Sequence, residues 1–323
     1  MIFRKLVIGL VSGLAITLSS AAARAAEDPA PATTPAVYAE KGDQTCLKCH
    51  DNEQVTSILK TPHGTKGDIR TPAANHGCES CHGASPEHVA SRPAKGEKKA
   101  LPAIRFSGPN ISPVADRNAV CLTCHENSAR INWQGSQHAS NDVACSTCHT
   151  VHAQKDPVLV KATQPDKCFT CHAQQRAESF QRSHHPVREG KVSCADCHNV
   201  HGSPGPKLVK EVSINETCYN CHAEKRGPML WEHQPVRENC DNCHTPHGSS
   251  QAALLTERMP YLCSSCHSAT GNNSGGWFGG SRSLPGHSPS NAVMNNELNN
   301  RSCLNCHSNI HGSNSPGGQA FLR

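Results

Sequence analysis

Every one of the twenty cysteines in this 323-residue chain falls in the pattern Cys-x-x-Cys-His, which occurs ten times with none left over. The pairs are Cys46 and Cys49, Cys78 and Cys81, Cys121 and Cys124, Cys145 and Cys148, and Cys168 and Cys171. They continue as Cys194 and Cys197, Cys218 and Cys221, Cys240 and Cys243, Cys263 and Cys266, and Cys303 and Cys306. Two thiols three residues apart can form thioethers to the two vinyl groups of one haem, while the adjacent histidine meets the iron from the same face; this is the c-type attachment signature. The proximal iron ligands are then His50, His82, His125, His149, His172, His198, His222, His244, His267 and His307.

Other uses of paired cysteines fit less well. Zinc ribbons also use Cys-x-x-Cys but do not require a histidine directly after each pair. Structural disulfides leave the ten histidines without a purpose. A thioredoxin-like redox pair occurs once, beside a βαβ pattern, and no such pattern is visible here.

The motifs come in twos, and each two resembles the next. Cys121 to Ala153, Cys168 to Gly202 and Cys218 to Gly248 share a histidine between the motifs and another just after the second. The period along Cys121, Cys168, Cys218 and Cys263 is 47, 50 and 45 residues, the mark of a repeated unit. With a more distant first copy from Cys46, the chain reads as five two-haem modules over about 46–88, 121–153, 168–202, 218–248 and 263–312.

Twelve of the 22 histidines remain after the proximal ones, enough for a second imidazole on every iron. Between the motifs stand His63, His138, His233 and His287, with one of His184 and His185; after the second motif stand His88, His152, His201, His247 and His311. His76, two residues before Cys78, is out of step and is left aside. An iron held by two histidines exchanges electrons and is closed to substrate, so this count points away from catalysis. Gly64, Gly202, Gly248 and Gly312 directly follow four of these histidines. A residue without a side chain there admits the close approach of a flat macrocycle, or simply makes a turn.

Apolar residues are 36% of the chain, the cysteines among them, and aromatics only 4%. That is too little for an ordinary side-chain core at this length, so cofactors are expected to fill the interior. The formal charge of +5 is not that of a nucleic-acid binder, and ten haems with two propionates each would lower it by up to about 20. Arg4 and Lys5 precede an apolar run from Leu6 to Leu18, followed by the small residues Ala21 to Ala26. The run is too short to span a bilayer and reads as a signal peptide over residues 1–25, with a mature chain over 26–323.

Pro, Gly, Asn and Ser punctuate nearly every interval, so the expected fold is short α-helices and irregular loops packed around ten haems, with little sheet. Two stretches depart from the module. Gly83 to Val120 reads as a surface excursion with a strand-like Ile104 to Phe106, and Ser268 to Asn300 as a Gly-, Asn- and Ser-rich loop pinned at His287.

The sequence resembles the DmsE-type family, periplasmic decahaem cytochromes of outer-membrane porin-cytochrome conduits. The resemblance runs over nearly all of the mature chain. It is carried most clearly by NETCYNCHAEKRGP, LWEH and the ENC, CH and PHG elements within Asn215 to Gly248, and by RSCLNCHSNIHGSN from Arg301. It implies His185 rather than His184 as a ligand, because the family pattern has Ser-His-Pro there, and it offers no counterpart of His76. It further implies an elongated haem wire inside an outer-membrane β-barrel porin. That wire would link periplasmic or inner-membrane cytochrome donors to an extracellular multihaem cytochrome and external iron or manganese oxides. A soluble periplasmic carrier feeding a terminal reductase, and a multihaem reductase with an open iron, are the competing functions.

Overall fold

In a computed structural model the chain divides into Met1–Ala36 and Val37–Arg323. The residues described are 36–267, 303–305, 307–316, 318 and 321, all but Ala36 in the second unit. The signal-peptide reading, His287 and the loop around it lie outside them.

The helices are short, from four residues up to the nine of Val114–Leu122. No helix among the described residues is long and apolar enough to cross a membrane. Helices of this length do not hold themselves together in water, and no sizeable side-chain core forms among the described residues to compensate. Among the described residues the buried apolar ones are Trp133, Ala144 and Val209. No strand forms among the described residues; extended pairing is confined to isolated bridges such as Ser183 with Ser249 and Trp231 with Ser313.

The helices are placed by the motifs. In modules two to five a helix runs into the first motif, as in Val114–Leu122, Gln164–Phe169, Ile214–Tyr219 and Tyr261–Ser264. The second motif opens its own turn at its first cysteine, as in Cys145–Cys148 and Cys194–Cys197. Buried polar side chains bind the two together. Three residues before the first cysteine, Asp43, Asn118 and Asn215 each accept the backbone N–H of the second motif's first cysteine, at 2.8, 2.8 and 2.7 Å. In the third module Pro165 takes that place, and Gln164 accepts from Ala195 N at 2.9 Å instead.

The stretch from Gly83 to Val120 is more than an excursion, and Ile104 to Phe106 form no strand. Ile104 N donates to the His82 carbonyl at 2.9 Å. Its own carbonyl, and that of Ala100, receive the Nδ1–H groups of His82 and His88, at 3.2 and 2.7 Å. This segment folds back to orient two candidate ligands.

Candidate haem-iron sites

All ten motifs share one backbone contact. The backbone N–H of each motif histidine donates to the carbonyl of the first cysteine four residues earlier, over 2.8–3.1 Å. That closes one helical turn, which sets positions i, i+3 and i+4 on a common face. In the nine motifs described in full, both thiols and the imidazole are thereby aimed the same way. None of the described cysteines forms a disulfide.

Among the described residues nine motif histidines have a second imidazole facing them, and eight of these nine partners come from another module. Ring centroids lie 6.2 Å apart for His50 and His88, 6.0 Å for His63 and His125, and 6.3 Å for His82 and His152. They lie 6.1 Å apart for His138 and His172, 6.1 Å for His149 and His201, and 6.4 Å for His185 and His222. The values are 6.0 Å for His198 and His247, 6.1 Å for His233 and His267, and 6.1 Å for His244 and His311. Two imidazoles bonded end-on to one first-row metal at about 2.0–2.1 Å, each nitrogen roughly 1.1 Å from its ring centre, stand about 6.3 Å apart. The protein is shaped for one metal ion between each two rings. No group of three or more His, Cys, Asp or Glu side chains able to hold a metal occurs among the described residues. Two facing imidazoles beside a Cys-x-x-Cys-His turn are the donor set that would hold a haem, whose macrocycle would supply the remaining coordination positions.

The pairing follows a rule. The intermotif histidine of one module faces the first motif histidine of the next, as His63, His138, His185 and His233 do. The histidine after the second motif faces the second motif histidine of the preceding module, as His152, His201, His247 and His311 do. Among the described residues only His88, with no preceding module, turns to its own module's His50. Two further histidines do other work. His184 donates from Nδ1 to the Gln181 carbonyl at 2.7 Å and meets Glu189 at 3.3 Å, and His76 stacks on Tyr38 at 3.7 Å.

Neighbouring modules also orient these rings. Nδ1 of His138 and of His185 donates to the carbonyls of Val200 and Pro246, at 2.8 and 2.7 Å. Each acceptor is the residue just before the next module's own facing histidine. This fixes the proton on Nδ1 and leaves Nε2 for the metal. Burial pushes the imidazoles of His82, His198, His201, His233 and His311 below their usual values, favouring the neutral form that binds metal. The few aromatics are placed here too: Phe106 meets His82 edge-on at 5.3 Å, and Phe321 meets His233 at 5.4 Å.

The glycines after these histidines have a reason different from the one expected. A Cβ on Gly202 would strike the Asn132 carbonyl, and one on Gly248 the Glu178 carbonyl. A Cβ on Gly312 would strike Met229. The close approach they permit is that of the preceding module. Gly64 differs, its Cβ direction meeting Ile58 and Leu59 of its own module.

The thiols trace a continuous order. Within modules the first cysteines of the two motifs interact, Cys46 with Cys78, Cys121 with Cys145, Cys168 with Cys194, Cys218 with Cys240 and Cys263 with Cys303. Between modules the second cysteines come near each other, Cys81 to Cys124, Cys148 to Cys171, Cys197 to Cys221 and Cys243 to Cys266. Successive attachment sites are thus neighbours in space in the order of the sequence.

Paired imidazoles of this spacing beside Cys-x-x-Cys-His turns define a multihaem c-type cytochrome, a carrier of electrons and not an enzyme. Family models agree: the doubled CXXCH motif matches residues 184–227 and 233–272, the cytochrome c-type protein NrfB-like model 78–164, and the cytochrome c554 and c-prime model 17–83. The chain is 44% identical over 287 residues to the multiheme cytochrome MtrA of Shewanella baltica (strain OS185), covering 88% of this chain and 83% of that one. It belongs to the MtrA family of multihaem cytochromes.

The sequence reading missed Asp43, Asn118 and Asn215. Their signal was an Asn or Asp three residues before the first cysteine of a module.

Proposed function

We propose that the mature chain, residues 26–323, carries ten haems in five modules and passes electrons along them in sequence order. Haem iron supplies reversible one-electron exchange. The protein supplies two imidazoles to each iron and the spacing between irons. The proposed pairs are His50 with His88, His82 with His152, His125 with His63, His149 with His201 and His172 with His138. They continue as His198 with His247, His222 with His185, His244 with His311 and His267 with His233. The tenth iron is assigned His307 from its own motif and His287 from its place between the two motifs of the last module. The nine facing imidazole pairs are the observation that carries this reading.

Two imidazoles per iron leave no position for a substrate, so each haem acts as a relay. The likeness to porin-cytochrome conduits extends the reading to the cell. The chain, exported with loss of residues 1–25, would sit inside an outer-membrane β-barrel porin. There it would join periplasmic or inner-membrane cytochrome donors to an extracellular multihaem cytochrome and to iron or manganese oxides, in either direction. A barrel wall would shield the polar loops from lipid, which they could not face directly.

The test is to solubilise the outer membrane of cells expressing all partners and follow the haem protein through gel filtration. Comigration with a β-barrel is the expected result. A wholly soluble periplasmic monomer would overturn the conduit and leave a soluble carrier.

A further inference from the structure

The second motif histidines of modules two, three and four are oriented in two different ways. His198 donates from Nδ1 to the Lys207 carbonyl at 3.0 Å, and His244 to the Ala253 carbonyl at 2.8 Å. Both acceptors lie nine residues after the histidine, on left-handed backbone with φ of 54°. His149 has no such partner. Its Nδ1 meets Asp156 Oδ2 at 2.7 Å, and Asp156 lies seven residues on, where the other modules have Gly205 and Gln251. With the side chain doing this work, the backbone at Val158 and Leu159 has no need of the left-handed turn and does not take it.

The carboxylate is held firmly. Asp156 Oδ1 accepts the backbone N–H groups of Thr150 and Val158 at 3.2 and 3.3 Å, and its side chain is only 12% exposed. Two other candidate ligands approach a carboxylate, but loosely. His247 lies 3.4 Å from Glu178, and His222 lies 3.9 Å from Glu224, a pair more than half exposed. Among the described residues only His149 combines a short contact with a buried acceptor.

A carboxylate is a stronger acceptor than a peptide carbonyl. Drawing the Nδ1 proton toward itself makes the imidazole a more basic ligand, which favours the more positively charged state of a bound metal. We propose that Asp156 is a potential-setting residue that holds the iron between His149 and His201 at a lower reduction potential than its neighbours. This rests on the ligand assignment proposed above. Reduction adds one electron to that iron from an adjacent one, and no bond forms or breaks. The fourth attachment site is thus a step in the path that electrons must climb in either direction.

The experiment is a potentiometric titration of the full holoprotein followed by EPR, for the wild type, Asp156→Asn and Asp156→Glu. Asparagine keeps the contacts to Thr150 and Val158 while removing the charge. The expected result is that one haem of the wild type titrates below the rest. Asp156→Asn should make its reduction about tenfold more favourable, about 59 mV for one electron, and Asp156→Glu should retain most of the low-potential step. An unchanged titration in Asp156→Asn with every haem still low-spin would overturn the tuning and leave the ligand reading intact. A high-spin haem in the wild type that His149→Ala leaves unaltered would instead overturn the ligand reading. Should neither variant mature, the absence of a single low-potential haem in the wild type would itself refute the proposal.

Discussion

His138 and His172 stand in adjacent modules, yet their rings face each other at 6.1 Å with planes 83° apart. On the proposed pairing, the ligand that completes an iron site is encoded some thirty residues before the motif that attaches the haem. Replacing it should wound the next module and spare its own. In His138→Ala the haem bound at Cys168 and Cys171 is expected to become high-spin, with mass spectrometry still finding every haem attached. Assignment of the high-spin haem to Cys121 or Cys145 would show the pairing to be wrong.

The facing rings fall into two groups. Five pairs lie within 30° of parallel, those of His50, His149, His198, His267 and His244. Three lie beyond 75°, those of His125, His82 and His172, with His222 between at 55°. Parallel imidazole planes split the iron d orbitals more than perpendicular ones. The ferric EPR spectrum of the holoprotein should accordingly contain both ordinary rhombic low-spin signals and strongly anisotropic ones. A single uniform class would contradict the geometry.

Gly248 admits the preceding module, so Gly248→Ala should strain that junction. Forcing atoms into a filled site costs about 1–3 kcal/mol. The thermal midpoint should fall, with the iron facing His247 the first to lose its ligand. Gly67 has open space around its Cβ direction, and Gly67→Ala serves as the control expected to change little.

Asn215 accepts from Cys240 N and donates to the carbonyls of Val236 and Arg237. Truncation in Asn215→Ala strands those buried groups, at a cost of about 1–3 kcal/mol. Asn118→Ala should behave alike, since Asn118 holds Cys145 N and the Val143 carbonyl. Differential scanning calorimetry of the two holoproteins measures both. Thermal curves matching the wild type would mean that the haems alone hold the motif pairs together.

Much of the site was legible because thioether attachment is a local, covalent demand with a fixed spacing. His50 and Cys46 had to be where they are for one helical turn to present them together. The partnership of His63 with His125 was not legible, since it depends on how modules meet, and nothing in the spacing of His63 from its own motifs favours a forward over a backward contact. Asp156 escaped notice for a related reason. It replaces a backbone carbonyl, a group every residue possesses, so its role appears only when Lys207 and Ala253 are seen in the equivalent places. The strand-like look of Ile104 to Phe106 misled because these residues meet His82 and no neighbouring strand.

The rule by which each module lends one histidine forward and one back also bears on how such a protein could lengthen. Among the described residues it is broken at the first module, where His88 serves its own module. A duplicated interior module would arrive with both of its outward ligands and find both of its needs met by its neighbours. A conductor built this way can grow in steps of two irons without reinventing its termini.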